Sequence, residues 1–179
     1  MGIATSSCTG CWFGCCREAL WARGYSASHS TFAGVVSCDS VRIALTYAAL
    51  NELDVCAADI RNAYLQAPSS RKDYIICGEE FGLENVGRVS LIHRALYGGK
   101  TASRDFRNHL RACMWHLDFK SCPADPDVWM RPAVKEDGFK YWEYILAYVD
   151  DVLCISHKAL STMKQLQAKF KFKGDKIEE

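Results

Sequence analysis

Apolar residues along this chain recur at two spacings, three-to-four and two, and the switches between them divide it into helices and strands. Asp39 or Ser40 can cap a helix whose apolar face is Val41, Leu45, Ala48 and Ala49. Asp54 to Asp59 then reads as a short buried strand that ends in a carboxylate. Pro68 and the polar run to Lys72 make a loop, and Tyr74 to Cys77 a second strand. Val89 to His93 is a third, followed by a turn at Tyr97-Gly98-Gly99. A helix is predicted from Thr101 to Leu117, with Phe106, Leu110, Cys113 and Leu117 on one side. Val128 to Arg131 and Tyr141 to Tyr148 form an antiparallel pair joined through Glu136-Asp137-Gly138. A further strand, Val152 to Ser156, leads into an amphipathic helix from Ala159 to Phe170 carrying Leu160, Met163, Leu166 and Phe170. This order predicts an α+β fold, an antiparallel sheet with its helices on one face.

Opposite the apolar side of the Thr101 helix lie Lys100, Arg104, Arg107 and Arg111, at spacings of four, three and four. Such a stripe reads equally as a solvated face. Its single sign, with Asp105 lying off it, points to a surface that meets phosphates. Residues 1 to about 29 lack any steady period and are expected to be a divergent or disordered leader, with the folded domain spanning 30–179.

Hydrophobic content of 49% and charged content of 24% suit a single soluble domain of this length. No apolar run reaches the roughly 18 residues that a membrane span requires. The first residues have neither a basic start nor a sustained apolar stretch, so an intracellular chain without a membrane is expected. A net charge of +1 argues against a strongly basic chain and leaves room for a locally basic groove. Of the ten cysteines, Cys38, Cys56, Cys77, Cys113, Cys122 and Cys154 are scattered, several of them in apolar segments where free cysteine acts as a small hydrophobe. Cys8, Cys11, Cys15 and Cys16 crowd the N-terminus. Cys8 and Cys11 have a zinc-like spacing, but no second ligand pair follows.

The chemistry lies in the acidic residues. Asp150 and Asp151 sit between Tyr144–Val149 and Val152–Ile155, two runs apolar enough to be core strands, so they occupy the tight turn between them. An ordinary hairpin tip can host Asp cheaply. The unit Tyr148-Val149-Asp150-Asp151, however, should occur by chance in only on the order of one percent of chains this long. Asp59 also ends an apolar strand. Carboxylates at the ends of neighbouring strands suit a two-metal site, where Mg²⁺ ions activate a 3′-oxygen and stabilise a leaving pyrophosphate. Magnesium needs few protein ligands, and phosphoryl transfer asks mainly for positioning and charge neutralisation.

Four segments from Asp59 onward, and a fainter fifth near the N-terminus, resemble one family. Asp59-Ile60-Arg61-Asn62-Ala63-Tyr64-Leu65 resembles the first polymerase motif of copia-type retrotransposon reverse transcriptases. Leu96-Tyr97-Gly98-Gly99-Lys100-Thr101-Ala102-Ser103-Arg104 is similar to their Leu-Tyr-Gly-Leu-Lys-Gln-x-Pro-Arg motif, with Gly99, Thr101 and Ser103 replacing Leu, Gln and Pro. Ser121 to Trp129 resembles the segment before their catalytic hairpin, and Tyr148-Val149-Asp150-Asp151 the hairpin itself. Arg17 to Tyr25 resembles a fingers segment in which Ala19 stands where the family has a basic residue.

The resemblance implies a right-hand polymerase palm with a ferredoxin-like core and partial fingers. It implies that Asp59 and Asp150 hold two Mg²⁺ ions, or Mn²⁺, with Asp151 supporting. By the same implication the backbone of Ile60 and the side chains of Lys100 and Arg104 approach the triphosphate, and Tyr64 gates the sugar 2′-position. Arg107 and Arg111 would contact nucleic acid. The partners implied are an RNA template, a DNA primer and deoxynucleoside triphosphates, in a cytoplasmic virus-like particle or the nucleus. Because the chain stops at Glu179, a thumb and an RNase H domain are expected to be absent and the activity of the chain alone to be poor. A second reading is a catalytically inactive nucleic-acid-binding or structural remnant of the same element. A third is a small zinc module on the N-terminal cysteines.

Overall fold

A computed structural model describes residues 33–173, and the expected leader at 1–29, with its four cysteines, lies outside the described residues. The elements are α1 (Cys38–Leu50), β1 (Asp54–Asp59), α2 (Ala63–Gln66), β2 (Tyr74–Ile76), β3 (Val89–Leu91), α3 (Ala102–His116), β4 (Lys120–Ser121), β5 (Val128–Val134), β6 (Lys140–Tyr148), β7 (Asp151–Ser156) and α4 (Ala159–Gln167). Five strands form one antiparallel sheet in the order β1-β7-β6-β5-β4, and β2 pairs with β3 in a separate small sheet. The result is the mixed helix and antiparallel-sheet architecture that the periodicity predicts.

One expectation needs correcting: helices cover both faces of the large sheet. Successive side chains on a strand point to opposite faces. Val152 and Cys154 of β7 pack with Cys56, Ala58, Ile145 and Ala147 under Phe106, Leu110, Met163 and Leu166 of α3 and α4. Leu153 and Ile155 pack the other way, with Leu146 and Val128 against Ala44 and Ala48 of α1. The reason is visible in β7 itself. Val152-Leu153-Cys154-Ile155 does not alternate with polar residues, so each face needs its own cover.

The details of α1 also differ from expectation. Ser37, not Asp39 or Ser40, is the N-cap, its hydroxyl accepting the Ser40 amide at 3.1 Å. The buried stripe is Ala44 and Ala48, flanked by Val41 and Tyr47, while Leu45 and Ala49 are exposed. Two alanines let the helix approach the sheet closely. The exposed Ile43 and Leu50 lie off that stripe. Elsewhere the ends move by a few residues: β3 stops at Leu91, two residues early, and α4 stops at Gln167, although Phe170 remains buried beyond it. Four of the six described cysteines are buried, Cys122 is half-buried and Cys38 is exposed. Among the described residues no helix is long and apolar enough to cross a membrane.

Candidate active site

The acidic residues come together through strand pairing. Asp59 closes β1 and Asp151 opens β7, and the two are direct cross-strand partners. Tyr148, the last residue of β6, pairs with Asp151 from the other side. Asp150 occupies the two-residue turn with Val149, whose φ of 56° places a β-branched residue in the left-handed region. A conformation of that kind costs about 1–3 kcal/mol and persists only where its surroundings hold it. One such restraint is the Ile60 amide, which donates to the Asp150 carbonyl at 2.7 Å and fastens the turn to the end of β1. The Ile60 N–H is thereby committed, and its side chain is fully buried, so this amide does not offer itself to a triphosphate.

Past β1 the backbone bends at Asn62, also left-handed at φ 51°, a region that Asn tolerates. The bend starts α2, which carries Tyr64. Gln66 at the end of α2 donates to the Lys171 carbonyl at 3.0 Å and accepts from the Lys171 amide at 2.9 Å. This clamp holds the segment that brings the Lys173 ammonium to 3.4 Å from the Asp59 carboxylate. A cavity of about 590 Å³ opens on the α1 face, with Asp59, Asp151, Tyr148 and Lys173 at its polar end and Val36, Leu146 and Leu153 on its apolar walls.

The electrostatics follow from crowding. Partial desolvation, then the negative charges of Asp150 and Asp59, push the Asp151 carboxyl above the usual range, and Lys173 offsets part of this. Among the described residues no three His, Cys, Asp or Glu side chains gather closely enough to hold a metal ion. The donors nonetheless suit a hard cation. They are carboxylate oxygens, with Asp59 and Asp150 crowding the charge of Asp151 and Asp59 already drawing an ammonium.

The basic stripe departs from the expected phosphate-facing surface. Arg107 gives two N–H groups to the buried Asp127 carboxylate, at 2.8 and 3.0 Å. Arg104 donates to the Ser70 hydroxyl at 2.7 Å and to Asp105 at 3.3 Å. Arg111 lies over the Trp115 ring, its guanidinium carbon 4.9 Å from the centroid, and Lys100 is exposed. Two of the four cations thus hold the domain together. Sequence reasoning left out Lys173, for which no motif speaks, and the role of Tyr97, an aromatic at a turn that the motif already contained.

Asp105 gives a pH test. Burial alone would raise its pKa, but hydrogen bonds from the Ser70 hydroxyl and amide, the Thr101 hydroxyl and Arg104 outweigh that and hold it below the usual carboxylate range. A depressed folded pKa contributes stability above the unfolded value of about 3.9, lost as pH falls through the folded value. Urea unfolding between pH 6 and pH 2 should therefore show a steeper acid loss in the wild type than in Asp105→Asn. At neutral pH the variant should be weaker by about 1.5–3 kcal/mol, the range for hydrogen bonds to a charged group.

Fold and site together define an α+β domain whose antiparallel sheet carries carboxylates at the ends of adjacent strands. Residues 19–176 match the family described as reverse transcriptase (RNA-dependent DNA polymerase), and the chain belongs to that family. The match begins at residue 19, inside the segment expected to be a leader, and takes in most of the stretch that resembles a fingers segment. Comparison with curated proteins finds no match, and comparison with solved structures finds none either. Membership implies a nucleic acid template, nucleotide substrates and, as is general in the family, divalent metal ions.

Proposed function

We propose that this domain is the palm, with part of the fingers, of a copia-type retrotransposon reverse transcriptase, and that it extends a DNA primer on an RNA template. The observation that carries this reading is the cross-strand pairing of Asp59 with Asp151, beside Asp150 in a turn fastened to the end of β1. Asp59, Asp150 and Asp151 would hold two Mg²⁺ ions, with Mn²⁺ able to substitute. When bound, these ions supply activation of the primer 3′-hydroxyl and stabilisation of the leaving pyrophosphate.

The chain's own residues do the positioning. The strained Val149–Asp150 turn presents a carboxylate at the sheet edge, and the Ile60 amide fixes its backbone. Tyr64, half-buried on α2, supplies an aromatic edge for the sugar of the incoming nucleotide. Lys100 and Arg111, exposed on the helix side, are the cations best placed to meet phosphates, with Arg104 behind them. Lys173 would give up Asp59 as metal charge arrives. The pair is exposed and screened, so its loss costs little.

Tyr64 supplies the test. In primer extension on an RNA template by an enzyme carrying this domain, Tyr64→Val should raise ribonucleotide incorporation relative to deoxyribonucleotide. The expected change is roughly tenfold or more, the scale of a single steric contact in a substrate pocket. Unchanged selectivity would make Tyr64 a packing residue only.

A further inference from the structure

We infer that Tyr97 is a positioning residue for sugar specificity: its ring stacks on Tyr64 and holds it in the orientation that excludes a 2′-hydroxyl. The inference rests on the polymerase reading above and adds to it a residue outside the metal site.

The geometry begins with a tight turn. The Gly99 amide donates to the Leu96 carbonyl at 2.9 Å, which places Tyr97 and Gly98 at the two central positions. Gly98 has φ +85°, the sign that a type II turn requires at its second central residue. Nothing lies within 4 Å of the position a Cβ would take there, so glycine is present for its backbone conformation and not for space. The turn lifts Tyr97 away from the core, leaving it 52% exposed although it is a large aromatic.

That exposed ring is not without a partner. Its centroid lies 4.7 Å from that of Tyr64, with the planes tilted by 39°. Tyr64 meets Phe106 behind it at 6.1 Å, and Phe106 meets Phe170 at 6.1 Å. Among the described residues, Tyr64 is therefore held between a buried wall of two phenylalanines and one outer ring, that of Tyr97. The outer ring also borders the acidic residues. Partial burial, then the charges of Asp150, Tyr64 and Asp59, raise the Tyr97 hydroxyl above its ordinary value. Without the outer ring, Tyr64 keeps its place on α2 but can swing outward, because among the ring contacts of the described residues the Phe106 side alone remains to restrain it.

The test is equilibrium dialysis of Mg²⁺-dATP and Mg²⁺-ATP against the chain and its Tyr97→Ala, Tyr97→Phe and Tyr64→Ala variants. The wild type should prefer dATP. Tyr97→Ala should lower the dATP/ATP affinity ratio about three- to tenfold, the scale of one aromatic pair, chiefly by admitting ATP. Tyr97→Phe should keep the ratio, since it keeps the ring, and Tyr64→Ala should lower it at least as far as Tyr97→Ala does. A ratio that survives Tyr97→Ala, an equal loss of both nucleotides, or a Tyr97→Phe variant that fails like Tyr97→Ala would each overturn the inference. If the wild type binds neither nucleotide, the polymerase reading fails and the inference falls with it; if it binds both equally, the gate alone is refuted.

Discussion

Asp59→Asn and Asp150→Asn, made singly, should each reduce DNA synthesis on an RNA template by at least about a hundredfold while leaving the fold intact. The comparison is the rate of primer extension by an enzyme that carries this domain, with and without the substitution. Asparagine keeps the shape of the side chain but removes the charge that would neutralise a metal. Loss of a single preorganised electrostatic group at a reacting centre costs on the order of 10²–10³ in rate. Stability should move the other way. The charges of Asp59 and Asp150 push the Asp151 carboxyl upward, so removing either relieves repulsion within the fold. A variant that loses synthesis while unfolding at the same or higher urea concentration fits a site maintained for function at a cost in stability. A variant that loses both together would make these carboxylates structural.

The second large effect belongs to Arg107. Its two N–H groups meet an Asp127 carboxylate whose side chain is only 7% exposed, so Arg107→Ala leaves a buried charge without its partner. Breaking such a pair from one side costs about 3–5 kcal/mol, and the partial exposure of the guanidinium favours the lower end. Set against the 5–15 kcal/mol that stabilises a typical domain, the loss is readily measured by urea denaturation. Arg107→Lys should recover only part of it, because an ammonium cannot reproduce the two-pronged contact. An Arg107→Ala, Asp127→Ala double variant should be more stable than Arg107→Ala alone. Unchanged stability with a shallower salt dependence of nucleic-acid binding would return Arg107 to a phosphate-facing role.

Arg107 also marks where the sequence stops being informative. The four-three-four spacing of the basic residues predicts one helix face, and the structure keeps Arg104, Arg107 and Arg111 within α3 while Lys100 lies just before its N-cap, Thr101. Spacing cannot say what faces that side. A phosphate and the carboxylate of Asp127, twenty residues further along, would select the same periodicity. The same limit explains α1. Its helical period is plain, but only the double-sided apolar character of β7 shows that a second face needs covering, and only packing shows that Ala44 and Ala48, not Leu45, meet it.

Features set by local chemistry were legible. The sequence predicts β1 from Asp54 to Asp59, as the structure has it, because a compact apolar run closed by a carboxylate has few other conformations. The β6–β7 hairpin is legible for the same reason, and with it the placing of Asp150 in the turn, whereas Asp151, expected in the turn as well, opens β7 because it pairs with Tyr148 and Asp59. The positive φ at Val149 was not, since nothing in a valine announces it. Nor was the pairing of Tyr97 with Tyr64, which joins two motifs 33 positions apart through a turn and a short helix.

The central claim is that Asp59, Asp150 and Asp151 form one divalent-metal site that works together with a nucleotide. Titration of Mn²⁺ into the purified chain, followed by the loss of its free-ion paramagnetic signal, tests this without requiring turnover. The account predicts that Mn²⁺ binds, that a deoxynucleoside triphosphate tightens the binding, and that Asp59→Asn and Asp150→Asn each weaken it by roughly tenfold or more. Mn²⁺ affinity that is the same in the wild type and both variants, with and without the nucleotide, would contradict it.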